Sequence, residues 1–278
     1  MYIWLPPSEG KCAPLSGPPL NIGDLFAPEL THARAAVMNA LQLVSSGPRA
    51  AHILGLGPKS AAAAAANLRL TTSACTPAID LYTGVLYENL DYRSLTTGIS
   101  HLDRALIQSA LFGFLRPTDL IPMHRLSIGV TLPELGPLTR YWRAELARHL
   151  PPFTGELILD CRPASYQSAF PANQAHIVEI AAVSEQTGRP ISHMAKKWRG
   201  RVARRVLSEP AFDELHAPSD IVALISQLPS ESQNAVVRVA ATPPRATRSG
   251  GSVTRVVLTV RAPATPSARP DLSHGRDC

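Results

Sequence analysis

Residues 108–129, QSALFGFLRPTDLIPMHRLSIG, constrain this chain more than any other stretch. Pro117 and Pro122 each remove a backbone donor and fix φ, so no regular helix passes through. Leu111, Phe112, Phe114 and Leu115 are apolar enough to be buried, whereas Arg116, Asp119, His124 and Arg125 need partners if carried inward with them. The expectation is a stiff, irregular segment whose charged side chains are aimed by the core beneath it. The plainer alternative is a structural turn in which Arg116 pairs with Asp119.

The chain of 278 residues is long enough to bury a substantial core. Aromatics make up 5% of it, so that core must be mainly Leu, Val, Ile and Ala, and 26 prolines with 17 glycines predict many loops. The net charge is +6, and Lys11, Lys59, Lys196 and Lys197 are the only lysines, so arginine supplies most of it. Arginine is the better fork for phosphate and carboxylate, which favours anionic partners, although a GC-rich genome gives the same bias. Cys12, Cys75, Cys161 and Cys278 lack the spacing of a zinc site, so a reduced cytoplasmic setting with no metal and no cofactor is expected. There is neither a signal-peptide pattern nor a run of about 18 apolar residues, so no membrane is expected.

Residues 1–5 read as a strand that breaks at Pro6-Pro7. Ser8, Glu9 and Lys11 then sit past a strand's carboxyl end, where parallel sheets place ligand sites. The GxxxxGK[ST] spacing of a phosphate loop is absent. Residues 24–44 carry helical periodicity. Residues 51–67, AHILGLGPKSAAAAAAN, match the hhGhGxxxA form of a helix-hairpin-helix, with Pro58 opening the second helix. Gly55 and Gly57 would let backbone approach a phosphate, and Lys59 would add charge at the same spot. A tight junction between packed helices is the competing reading. Tyr82 stands beside a Thr-Gly turn, and residues 94–112 are expected to be a loop followed by an amphipathic helix.

Further on, residues 138–150 predict an amphipathic helix. Residues 157–161 predict a buried strand that delivers Asp160, Arg162, Ser165 and Tyr166 to its end. Residues 176–183 predict another strand, with a hairpin partner at 189–192. Residues 193–207 carry Lys196, Lys197, Arg199, Arg201, Arg204 and Arg205 on one helix, beside an apolar face of Ala195, Trp198, Val202 and Val206. Such a helix can hug phosphates or present a solvated charged face. Residues 219–228 predict a short helix, and 235–240 with 253–260 a terminal hairpin.

With these motifs in order, the chain resembles the YaaA family of peroxide-stress proteins, also called DUF328 or UPF0246. The residues carrying the resemblance are PPSEGK at 6–11, YTGVLY at 82–87, LFGFLRPTDLIPMHRLSIG at 111–129, the Tyr141-Trp142 helix, the strand ending at Asp160 with Arg162 and Tyr166 after it, and AKKWRG at 195–200. The resemblance implies one compact mixed α/β domain over 1–261, with a central mixed sheet, flanking helices and a helix-hairpin-helix at about 49–67. It implies a protein that binds DNA backbone and limits iron-dependent oxidative damage, with a basic cleft lined by Lys11, Arg116, Arg125, Lys196, Lys197 and Arg199. A monomer is expected, and residues 262–278, polar and proline-rich with no core pattern, are expected to be a disordered tail. Many members carry tyrosine where this chain has His124.

The residues also admit an enzyme acting on a nucleotide, a nucleobase or another anionic small molecule. Glu9, Asp119, Asp160 and Tyr166 are then the catalytic candidates, and Ser8, Tyr82 and Tyr166 the groups that orient the ligand.

Overall fold

The computed structural model describes residues 1–57, 62–95, 98–228 and 236–261. The expected loose end at 262–278 lies outside the described residues. The chain is of mixed α/β class, built on a central eight-stranded sheet with helices around it.

The first strand, β1 (Tyr2–Leu5), is apolar on both faces, with Ile3, Trp4 and Leu5 all buried, and it sits mid-sheet. Helix Thr31–Ser46 follows, then the four-residue helix Ala50–Ile53 and a 3-10 run, Ala62–Arg69. The small strand β2 (Cys75–Pro77) leads to two short helices, Ala78–Leu81 and Val85–Leu90. The expected helix ending at 112 is instead strand β3 (Ala105–Ser109), whose five residues are all buried. Because Ala105–Ser109 is buried on both faces, it shows no apolar/polar alternation, so spacing alone suggested a helix.

A hairpin turn then leads to β4 (Gly113–Leu115). The Ser109 hydroxyl accepts hydrogen bonds from the Leu111 and Phe112 N–H groups. Gly113 has φ +72°, and a Cβ there would lie 2.9 Å from the Trp142 ring. Residues 108–129 therefore hold an edge hairpin and then β5 (Leu120–Pro122), which pairs with β2.

A second small ribbon, β6 (Thr131–Leu132) with β7 (Gly136–Pro137), introduces helix Leu138–His149. Next come β8 (Leu157–Asp160), the short helix Ala164–Gln167 and β9 (His176–Ser184). Helix Ser192–Leu207 and helix Pro218–Ser226 precede β10 (Val236–Ala241), β11 (Arg245–Ala246) and β12 (Ser252–Val260). The expected partner at 189–192 contributes only a bridge between Val183 and Pro190.

The sheet runs β10-β12-β9-β8-β1-β3-β4, with β11 on β12. Its inner strands are parallel, and β4 and β10 are antiparallel edges. From β1 the chain moves outward to β3 and β4, then returns to β8 on the other side of β1. That reversal leaves a crevice at the carboxyl ends of β1 and β8, where open parallel sheets bind ligands. Beneath it Trp4, Phe114, Phe153 and Phe170 pack ring to ring, with centroids 5.2–5.6 Å from Trp4.

Candidate functional site at the carboxyl ends of β1 and β8

The loop after β1 is clamped along its length. The Tyr87 hydroxyl donates to the Pro6 carbonyl at 2.8 Å, Thr83 N–H to Gly10 O at 3.0 Å, and Cys12 N–H to Leu81 O at 2.8 Å. Lys11 and Tyr82 thereby become directly opposed residues of an antiparallel bridge. The Lys11 Nζ lies 5.4 Å from the Tyr82 ring centroid and donates to Ser8 O at 2.8 Å. Burial, and then the Arg125 charge, lower the Lys11 pKa to about 8, with Glu9 opposing. Burial raises Tyr82, Tyr87 and Tyr166 well above the ordinary phenol range.

The loop after β5 supplies the other wall. His124 is buried, edge-on to Tyr82 and Phe112. Its Nδ1 lies 2.9 Å from the Pro122 carbonyl, which only accepts, so Nδ1 carries the proton and Nε2 is the acceptor. Burial and then Lys11 lower its pKa to about 3, so the ring is neutral at physiological pH. Arg125 follows. Asn67 accepts from its backbone N–H at 2.7 Å and donates to its carbonyl at 3.0 Å. The Arg125 guanidinium reaches the Glu9 carbonyl at 2.8 Å and its carboxylate at 3.3 Å, and the Glu9 side chain is 93% exposed.

The end of β8 is occupied differently. Asp160 and Arg162 form a buried bidentate pair at 2.8 and 2.7 Å. Arg162 also donates to the Gln108 side-chain oxygen and the Phe170 carbonyl, and lies 4.4 Å over Trp4. Asp160 thus fixes the floor of the crevice. Above it Cys161 is fully buried, its thiol pushed up to about 12 chiefly by burial. Tyr166 arrives on helix Ala164–Gln167 and is electrostatically coupled to Tyr82 and Tyr87.

Asp119 and Arg116 lie at a separate turn. Asp119 accepts from the N–H groups of Phe26 and Arg116 and from the Arg116 guanidinium at 2.8 Å, while Arg116 also donates to Asp24 O. This is the pairing that the plainer reading of the segment expects. Arg34 organises the same region and escaped the sequence reading. It is buried and donates to the carbonyls of Phe26, Ala27, Phe112 and Phe114. Its one visible signal is position: it falls four residues after Leu30 and three before Val37, on the apolar stripe of its helix.

On helix Ser192–Leu207 most arginines turn inward. Arg199 donates to Ile180 O, and Arg201 to Asn89 while stacking on Trp198. Arg204 donates to Leu90 O and Asp91 O, and Arg205 pairs with Glu209 at 2.8 Å. Lys196 is exposed and Lys197 half-buried.

Gly55 has φ +62° and ends helix Ala50–Ile53, with Gly55 N–H on His52 O and Leu56 N–H on Ala51 O. These paired bonds are those of a Schellman cap, which accounts for a glycine there without a ligand. Gly57 is exposed, while Lys59 and the start of the expected second helix lie outside the described residues. Among the described residues no group of three His, Cys, Asp or Glu is placed to hold a metal, and no helix is long and apolar enough to cross a membrane.

A family model described as "Peroxide stress protein YaaA" matches residues 1–218. The chain belongs to this family. Among its relatives, a UPF0246 protein of Streptomyces coelicolor is 38% identical over 236 residues, covering 82% of this chain and 90% of that protein. A UPF0246 protein of Corynebacterium glutamicum is 36% identical over 230 residues, covering 81% and 91%. One from Cereibacter sphaeroides is 33% identical over 162 residues, covering 54% and 62%. Membership in the YaaA family supports a role in peroxide stress.

Proposed function

We propose that this YaaA-family chain acts in the peroxide response by gripping nucleic-acid backbone, with Lys11 and Arg125 as the phosphate seat and the 49–67 segment as its flank. The observation that carries this reading is the pair of hydrogen bonds between the Asn67 side chain and the Arg125 backbone, one in each direction, which fastens Asn67 to the cation site. Glu9 is so exposed that its pair with Arg125 contributes little and is readily exchanged for a phosphate oxygen. Lys196 and Lys197 add to the field, whereas Arg116 and Arg199 are held by protein partners.

Backbone binding of this kind has a salt signature. With Lys11, Arg125, Lys196 and Lys197 engaged, the logarithm of the association constant falls with that of salt concentration at a slope of about −3 to −4. Fluorescence anisotropy on a labelled duplex measures it, and Arg125→Ala flattens the slope by about 1. Absence of binding at about 50 mM salt refutes the reading. The second reading, a small anion handled chemically, is favoured by the lowered Lys11 pKa beside neutral His124.

A further inference from the structure

The crevice contains a polar group that backbone binding leaves idle. The Tyr82 hydroxyl is buried with the Ser109 hydroxyl as its polar neighbour, yet it makes no hydrogen bond of ordinary geometry, so a bound acceptor would satisfy it better. Lys11 stands directly across the bridge from it, His124 edge-on beside it, and Arg125 close enough to lower the Lys11 pKa. An amine, a phenol donor, a neutral imidazole acceptor and an anion-binding guanidinium are therefore neighbours past the carboxyl end of β1.

We propose that Lys11 is a nucleophilic amine that condenses with a small carbonyl compound bearing a carboxylate, forming an imine. The proposal rests on the small-molecule reading of this site, whose Lys11 and Arg125 are the same residues that a nucleic-acid phosphate would engage. Arg125 receives the carboxylate in place of Glu9, and the Tyr82 hydroxyl donates to the carbonyl oxygen. The neutral amine adds to the carbonyl carbon, giving a carbinolamine. Its oxygen then leaves as water with the two protons lost by nitrogen, and no electrons are exchanged with a redox partner. The lowered Lys11 pKa supports the first step, since about 300-fold more neutral amine is present near pH 7 than on an ordinary lysine.

The test is borohydride trapping with glyoxylate, read by peptide mass spectrometry on the full chain. The other three lysines, Lys59, Lys196 and Lys197, serve as internal controls. The expected result is a reduced adduct on Lys11 exceeding that on each of the others by at least about tenfold, and falling in Tyr82→Phe. Lys11→Arg abolishes it, and the ratio within wild-type protein carries the test even if that variant is unstable. Equal labelling of the four lysines overturns the proposal. Glycolate, which keeps the carboxylate but lacks the carbonyl, separates the two levels. If it raises the melting temperature while labelling is even, the anion site stands and the imine falls; if it does neither, both fall.

Discussion

Replacing Gly200 with alanine pits helix propensity against packing, and the structure decides the sign. In an isolated helix the change stabilises by about 1 kcal/mol. Here Gly200 lies where helix Ser192–Leu207 meets helix Val85–Leu90, and an added Cβ would sit 2.2 Å from the Leu86 carbonyl oxygen and 3.0 Å from Asn89 Cβ. The first of these atoms is backbone, so the helices must part by about 1 Å to restore ordinary contact. Overpacking of that kind costs about 1–3 kcal/mol, and the Arg201–Asn89 and Arg204–Leu90 hydrogen bonds crossing the same seam stretch with it, at about 1 kcal/mol each. After the propensity gain is subtracted, the net loss is about 2–4 kcal/mol, or a melting point lower by about 5–15 °C for a domain of this size. Thermal unfolding followed by circular dichroism measures it, with Gly129→Ala as control because nothing lies within 4 Å of a Cβ there. A Gly200→Ala protein that melts at or above the wild-type temperature refutes the reasoning.

Other perturbations follow from the buried charges. Asp160→Asn leaves the Arg162 guanidinium buried with half its compensation, and urea unfolding should show a loss of about 3–5 kcal/mol; an unchanged midpoint contradicts the floor assigned to this pair. Arg34→Lys cannot span carbonyls on two segments, so a loss of about 2–4 kcal/mol is expected in the same assay. His124 is held near pKa 3 when folded and titrates near 6.5 when unfolded, so in that window the unfolded chain binds the extra proton. Stability attributable to His124 is therefore complete above about pH 6.5 and falls by about 1.4 kcal/mol per unit as pH drops toward 3. His124→Phe should remove that slope from a series of denaturation curves between about pH 6 and 4, and superimposable slopes would count against a buried neutral ring.

Much of the scaffold was legible because its signals are local. Strand β1, helix Ser192–Leu207 with its Trp198, Val202 and Val206 face, and the strand delivering Asp160 all follow from period and punctuation. Strand β3 did not, because its burial on both faces erases alternation. Polyalanine suggested an α-helix, yet Ala62–Arg69 is a 3-10 run. Within the site, Lys11 and Tyr82 stood out as residue types, but their opposition across a bridge is a tertiary fact separated by 71 positions. The inward use of Arg199, Arg201 and Arg204 was equally invisible, since it depends on carbonyls contributed by β9 and helix Val85–Leu90. Asn67 gave no signal at all, because an amide at the end of a polyalanine run acquires meaning only when it meets the Arg125 backbone.

The Arg34 carbonyl cage has a consequence for how this polypeptide is made. Two of its acceptors, Phe112 and Phe114, are translated 78 and 80 residues after the guanidinium itself. A nascent chain paused before the edge hairpin emerges would hold helix Thr31–Ser46 with that cation hydrated and unable to settle. Excising the first third as a separate piece, or splitting the gene between these partners, should therefore yield a fragment that waits for its other half before it folds.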